Sequence, residues 1–164
     1  SRRLHVVRHS LPPLLDRLPD ARVLGHRWQE DLQQLTFPDA SIDCILVSRV
    51  LTMPPNLTAC LSEISRVLRP GGIAVIAEFY RHEETVNFDP PRNARYREFG
   101  TNFLGELNRH FDHVDLVFSD QFPAEFQLIN HFRSEGNIPH YIPSLIHNRQ
   151  AAHQEVVAVC RKEI

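Results

Sequence analysis

Between residues 42 and 79 the hydrophobic pattern changes its period twice, and few folds accommodate that change. Residues 42–47 (Ile-Asp-Cys-Ile-Leu-Val) form a short apolar run that is typical of a buried strand. From Asn56 to Leu68 the apolar residues instead recur at helical spacing, at positions 57, 60, 61, 64, 67 and 68. That spacing predicts a helix with one apolar face.

The predicted helix should end at Arg69-Pro70-Gly71-Gly72, because proline cannot continue a helix and glycine accepts a left-handed turn. Residues 73–79 are again apolar and predict a second buried strand. A strand, a helix and a second strand of these lengths require parallel strands and a right-handed crossover. The predicted fold class is therefore α/β.

The rest of the chain predicts one domain over residues 1–164. Further strands are expected near residues 4–7, 21–24, 113–118 and 155–160, and further helices over 10–18 and 101–110. Residues 80–99 are polar and contain Pro90-Pro91, which predicts a long loop. Residues 120–154 predict an insertion or lid, in which Phe122, Phe126 and Ile129 mark one side of a short helix.

Charge and cysteine content narrow the function classes. With 18 basic and 20 acidic residues the net charge is -2, so nothing favours binding to nucleic acid or to a membrane surface. No apolar run reaches the 18 residues of a membrane span. Cys44, Cys60 and Cys160 are odd in number and widely spaced, which predicts reduced thiols and a cytoplasmic location. Ser1 is the residue that removal of an initiator Met leaves, so an intact domain and a truncated piece are both compatible with the sequence.

Three groups of polar residues have a functional and a structural interpretation. The ten histidines lack zinc-ligand spacing and no cysteines pair as C-x-x-C, so no metal site is predicted. His82 and Glu83 follow the second strand and are weak candidates for a general base, although an exposed charged loop is the more common explanation of such residues. Arg92, Arg95 and Arg97 suggest an anion clamp, against the simpler interpretation of a solvated loop.

Two segments resemble the class I S-adenosylmethionine-dependent methyltransferases that act on small molecules. The first is Asp31-Leu-x-x-Leu-Thr-Phe-Pro-Asp-x-Ser-Ile-Asp43, which is similar to the run that enters the fourth strand of that family. The second is Glu63-Ile-Ser-Arg-Val-Leu-Arg-Pro-Gly-Gly72, which is similar to the run before the fifth strand. The resemblance implies a Rossmann-like methyltransferase fold, with a mostly parallel central sheet and an antiparallel C-terminal strand.

The resemblance also implies where S-adenosylmethionine would bind, at the carboxyl ends of the strands. In the family, the residue matching Asp31 accepts a hydrogen bond from the adenine amino group, and the amide of the next residue, Leu32, contacts the ring. The other positions that would face the cofactor are His9, Ser10, Ser48 and Arg49.

The sequence departs from the family at the cofactor positions. Six glycines are present in the whole chain, and Arg8-His9-Ser10 stands where the family has its glycine loop. Leu24-Gly25-His26 lacks the acid that would bind the ribose, and the short spacing from Arg8 to Ile42 predicts a fold trimmed in its N-terminal half. These departures predict weak cofactor binding or none.

Two functions therefore remain open. The chain is either a methyltransferase that uses S-adenosylmethionine on a small molecule, or a non-catalytic relative without cofactor that serves as a scaffold, a regulatory subunit or a small-molecule binder. A protein partner is compatible with the second function, and Phe122, Phe126 and Ile129 would be the contact surface of a homo-oligomer.

Overall fold

A computed structural model describes residues 4–8, 21–23, 30–118, 129–135, 138–143 and 154–163. In chain order the helices and strands are β1 Leu4–Arg8, β2 Ala21–Val23, β3 Ile42–Ser48, α1 Leu57–Val67, β4 Leu68–His82, β5 Val86–Arg92, β6 Arg95–Gly100, α2 Phe103–Leu107, β7 His113–Phe118, β8 Ile129–Glu135, β9 Ile138–Pro143 and β10 Gln154–Arg161.

The central sheet has the predicted mixed topology. Its strand order is β2-β1-β3-β4-β10-β7, and β6 adds to β4 off this path. Neighbours from β2 to β4 are parallel, with Val7 opposite Val47 and Leu46 opposite Val75. Strand β10 is antiparallel to both β4 and β7. The α/β fold with an antiparallel C-terminal strand is therefore confirmed.

Helix α1 joins β3 to β4 as the periodicity predicts. Its N-cap is Asn56, whose side-chain oxygen accepts a hydrogen bond from the backbone N–H of Ala59 at 3.0 Å. The apolar face is buried through Cys60, Leu61, Ile64 and Val67. Burying an aliphatic side chain of this size contributes about 1.5–3 kcal/mol, so this face fixes the helix against the sheet.

Gly71 and Gly72 lie in an irregular stretch near the start of β4, between the pairs Ile42–Leu68 and Cys44–Ile73. Gly71 has a φ of 73°, a left-handed conformation that favours glycine. A side chain on Gly72 would place its Cβ 2.8 Å from the carbonyl oxygen of Arg69. The helix itself ends earlier, at Val67, because Leu68 is already extended.

The prediction of a long loop over residues 80–99 is wrong. Strand β4 continues to His82, and β5 and β6 form an antiparallel hairpin. The hairpin turns at Asn93 and Ala94, which both have positive φ, as a tight two-residue hairpin turn requires. Pro90-Pro91 ends the short alternation of Val86 and Phe88, and half of the β6 residues are charged, so hydrophobic periodicity gives only a weak signal for these strands.

Two helix predictions in the C-terminal half also need correction. The helix expected over residues 101–110 is confined to Phe103–Leu107. Ile129, expected on a helix with Phe122 and Phe126, begins strand β8, which pairs with β9 in a separate two-stranded sheet. Phe122 and Phe126 lie outside the described residues. A strand rather than a helix at Ile129 shows that spacing of three apolar residues is insufficient to define a helix there.

Candidate functional site

The carboxyl edge of the sheet is where α/β folds of this kind bind ligands. Ser48 ends β3 opposite Arg8 of β1 and Ala77 of β4. The next residue, Arg49, has a φ of 55°, and its N–H still reaches the carbonyl oxygen of Ala77 at 2.9 Å. The chain therefore leaves the sheet sharply at the position where the sequence predicted a cofactor contact.

The side chain of Arg49 is directed toward β4. Its guanidinium carbon lies 4.1 Å from the centre of the Phe79 ring, a cation–π contact. Strand β4 flanks β3 on the side opposite β1. The positive charge of Arg49 is therefore held on the side of β3 that faces away from β1.

Asp31 is exposed and is linked to the start of α1. One carboxylate oxygen accepts the backbone N–H of Gln33 at 2.9 Å and its side-chain amide at 3.2 Å. The side-chain oxygen of Gln33 accepts the backbone N–H of Asn56 at 3.0 Å. Leu32, by contrast, is buried in the core. The structure thus brings the predicted adenine-binding acid next to the first turn of α1.

Two buried charged side chains hold the loop between β3 and α1. Glu78 on β4 is 2% exposed and accepts the backbone N–H of Leu51 at 2.9 Å. Arg97 on β6 is 4% exposed and donates to the carbonyl oxygens of Leu51 and Pro55, both at 2.6 Å. The loop that forms this part of the carboxyl edge is consequently fixed from two strands.

The burial of these groups shifts their pKa values. Desolvation raises the pKa of Glu78 from 4.5 to about 7, although the backbone N–H groups of Leu51 and Val50 and the charges of Arg49 and Arg95 oppose that rise. Desolvation also lowers the pKa of Arg97. Both shifts disfavour charge at these two positions.

The sequence contained only partial signals for this pair. Glu78 is an acid inside the apolar run 73–79, and a charge in such a run is rarely buried without partners. Arg97 was grouped with Arg92 and Arg95 as an anion clamp, but the structure separates them. Arg97 is buried, whereas Arg92 and Arg95 are exposed, and Arg92 stacks on Phe88 with 4.8 Å between its guanidinium and the ring centre.

A cleft of about 720 Å³ opens between α1, the β5–β6 hairpin and α2, and it is called the edge cleft below. Its lining is mainly polar and consists of Pro55, Asn56, Leu57, Thr58, Thr85, Asn87, Arg97, Asn102, Phe103, Glu106 and Arg109. Because α1 follows β3 and the hairpin follows β4, the cleft lies at the carboxyl ends of these two strands. Asn56 joins its wall to Gln33 and Asp31.

One wall of the edge cleft is a hydrogen-bonded turn between residues 83–85 and 100–102. The carbonyl oxygen of Asn102's side chain accepts the backbone N–H and the hydroxyl of Thr85, at 3.0 and 2.8 Å. The backbone oxygen of Glu83 accepts from Asn102 N at 3.1 Å. A Cβ on Gly100 would lie 2.3 Å from the backbone carbon of Glu84, so only glycine fits there.

The structure describes only some of the remaining predicted site residues. His82 pairs with Gly100 at the end of β4, and the side chain of Glu83 is exposed beside the turn, so their role as a base stays a prediction. His9 and Ser10 lie outside the described residues. Cys60 and Cys160 are buried and free, and burial raises the pKa of each thiol to about 12.

The described residues contain no group of three or more His, Cys, Asp or Glu side chains arranged to hold a metal ion. None of the helices in the described part of the chain has the length and hydropathy to cross a membrane.

Comparison with known proteins supports the resemblance in the sequence. A family described as a methyltransferase domain matches residues 14–76. The ubiquinone/menaquinone biosynthesis C-methyltransferase UbiE of Vibrio cholerae is 38% identical over 66 residues, which are 39% of this chain and 25% of that protein. The chain thus spans about a quarter of the length of this relative.

Solved structures show the same fold over nearly the whole chain. Phosphoethanolamine N-methyltransferase 2 of Haemonchus contortus, in complex with phosphomonomethylethanolamine and S-adenosylhomocysteine, gives a TM-score of 0.63 at 10% identity and covers 99% of this chain and 49% of that chain. A SAM-dependent methyltransferase from Archaeoglobus fulgidus gives 0.61 at 12% identity, with 98% and 86% covered. The methyltransferase-domain match over residues 14–76 and the shared fold thus confirm the resemblance to class I S-adenosylmethionine-dependent methyltransferases.

Proposed function

We propose that the chain is a methyltransferase domain that binds S-adenosylmethionine at the carboxyl ends of β1 and β3 and holds a small-molecule acceptor in the edge cleft. The UbiE relative is named a C-methyltransferase, and the Haemonchus contortus structure holds S-adenosylhomocysteine. Both support a cofactor of this type here. The unpaired buried cysteines support a cytoplasmic location.

The observation that carries the proposal is the connection between Asp31 and the edge cleft. Gln33 accepts from Asn56 in the cleft wall and donates to Asp31, so a ring bound at Asp31 would lie beside the cleft. The second carboxylate oxygen of Asp31 has one weak contact, at 3.4 Å to the side-chain amide of Gln33. That oxygen is therefore available to accept an adenine amino group.

The position of Arg49 also suits a cationic cofactor. A guanidinium beside a sulfonium would weaken binding through like-charge repulsion. The stacking of Arg49 on Phe79 instead holds that charge toward β4. Ser48, the last residue of β3, lies opposite Arg8, the last residue of β1. At the end of β3 it is therefore Ser48, and not the charge of Arg49, that remains on the side toward β1.

When bound, S-adenosylmethionine supplies an activated methyl group. The contribution of this chain is to position and orient, which lowers the entropic part of the barrier. Glu78 and Arg97 fix the loop from Val50 to Pro55, and that loop leads directly into the cleft wall. A rigid wall holds the acceptor atom at a constant distance from the methyl group.

A second candidate is a scaffold or small-molecule-binding domain that transfers no methyl group. The observation that favours it is the sequence after β1, where Arg8-His9-Ser10 replaces the glycine loop and no acid follows β2. This candidate keeps the edge cleft as a binding site but assigns no cofactor to Asp31. Cofactor binding therefore separates the two functions.

Calorimetric titration of S-adenosylhomocysteine into the wild type and into Asp31→Asn tests the proposal. Asparagine retains an oxygen for Gln33, so the local turn should persist, but its amide group would oppose the adenine amino group. We expect weak, measurable binding by the wild type and about tenfold weaker binding by the variant, which corresponds to about 1.4 kcal/mol.

Asp89→Asn provides the matched control, because it removes an exposed carboxylate at a position that does not line the edge cleft. Its affinity should equal that of the wild type. No heat of binding at millimolar ligand would overturn the methyltransferase proposal in favour of the scaffold. Equal affinities of Asp31→Asn and the wild type would overturn the role of Asp31.

A further inference from the structure

We infer that the α1 end of the edge cleft is an anion subsite for a carboxylate or phosphate group, held between the first turn of α1 and the side chains of Arg97 and Arg109. This inference deepens the proposed function, because the anion would belong to the acceptor molecule. It defines the acceptor as an acidic small molecule.

The first turn of α1 presents free backbone donors to the cleft. Asn56 caps Ala59 N and donates its own N–H to Gln33. Among the described residues, no acceptor takes the backbone N–H of Leu57 or of Thr58, and both residues line the cleft. Orphan N–H groups at a helix start favour negatively charged ligands.

Arg97 adds a buried guanidinium to the wall of the cleft. Its guanidinium donates hydrogen bonds to two neutral carbonyl oxygens, those of Leu51 and Pro55. In the part of the chain that the structure describes, no carboxylate lies within ion-pair distance of this guanidinium. A guanidinium has five N–H donors, so donors remain for a ligand anion, and burial at 4% exposure keeps water from screening the charge.

The other polar groups of the cleft are already satisfied or balanced. Thr85 and Asn102 hydrogen-bond to each other. Glu106 is the carboxylate in the lining, and it pairs with Arg109 at 2.6 Å. Two arginines against one carboxylate leave an excess of positive charge, and the exposed Arg109 can turn from Glu106 to a ligand at low cost.

Nuclear magnetic resonance titration of the ¹⁵N-labelled chain with inorganic phosphate, and separately with malonate, tests the subsite without any methyl donor. Sodium chloride keeps the ionic strength constant. We expect saturable shifts of the Leu57 and Thr58 amide signals with at least one of the two anions. Phosphate alone would identify a phosphorylated acceptor, and malonate alone would identify a carboxylic acid.

Charge variants determine whether the shifts report this subsite. Arg109→Gln should weaken binding about fivefold, and Glu106→Gln should strengthen it, because the competing carboxylate is removed. Arg92→Gln removes an exposed arginine that does not line the cleft and should change nothing. Absence of saturable shifts, or equal effects of Arg109→Gln and Arg92→Gln, would overturn the subsite. Failure of S-adenosylhomocysteine to bind would instead affect only the proposed function.

Discussion

Glu78 and Arg97 hydrogen-bond to the two backbone polar groups of one residue, the N–H and the carbonyl oxygen of Leu51. Glu78 accepts the N–H of Leu51 at 2.9 Å, and Arg97 donates to the carbonyl oxygen of Leu51 at 2.6 Å. These are the buried charged residues of the part of the chain that the structure describes. The loop at the carboxyl end of β3 therefore depends on two side chains from the strands that follow it.

Replacing Glu78 by Gln should remove part of the pH dependence of stability. The pKa of Glu78 is raised to about 7 when folded, against 4.5 ordinarily, so the folded state retains a proton that the unfolded chain loses over this range. The stabilisation that protonated Glu78 contributes to the folded state is fully present below about pH 4.5 and is lost as the pH rises to about 7. The loss is about 3 kcal/mol, from about 1.4 kcal/mol per pKa unit.

Urea unfolding from pH 4 to 8 measures this effect as the difference between the wild type and Glu78→Gln. The free energy of unfolding should fall more steeply with pH for the wild type. Glu163→Gln, which changes an exposed acid, should follow the wild type. Parallel curves for the wild type and Glu78→Gln would contradict the raised pKa.

Arg97→Lys should destabilise the fold although the charge is retained. A lysine ammonium cannot bond Leu51 and Pro55 in the planar arrangement of a guanidinium, so one buried carbonyl loses its partner. The expected loss is about 2 kcal/mol in the free energy of unfolding. Arg95→Lys, at an exposed position two residues earlier, should lose almost nothing, and equal losses would refute the clamp.

Gly100→Ala and Gly105→Ala should have opposite effects. A Cβ on Gly100 meets the backbone of residues 83–85 at 2.3–2.6 Å, so the turn beside the edge cleft must open. A Cβ on Gly105 meets nothing within 4 Å, and alanine is the better helix former there by about 1 kcal/mol. Thermal unfolding should show a lower midpoint for Gly100→Ala and a higher midpoint for Gly105→Ala. A similar change in both would show that the backbone contact at Gly100 is unimportant.

Local patterns predicted the centre of this fold correctly. The helical spacing of Cys60, Leu61 and Ile64 depends on neighbours within a few residues, and the parallel strand pair follows from chain connectivity. Asp31 is a candidate through its resemblance to a family motif, and its role toward the cofactor stays a prediction. Its link to Asn56 could not be predicted, since it needs the side chain of Gln33 to cross to α1.

The sequence by itself thus determined the α/β order of elements, the helix between β3 and β4 and the candidate cofactor acid. Only the tertiary structure decided which charges are buried. Arg92, Arg95 and Arg97 are alike in sequence, yet Arg97 alone among them is covered, because the hairpin turn at Asn93 and Ala94 folds β6 onto β4. Its partner Leu51 lies 46 residues away along the chain, and Glu78 reaches Leu51 across 27 residues. Burial depends on the groups that pack around a side chain, and those come from distant segments that no local pattern specifies.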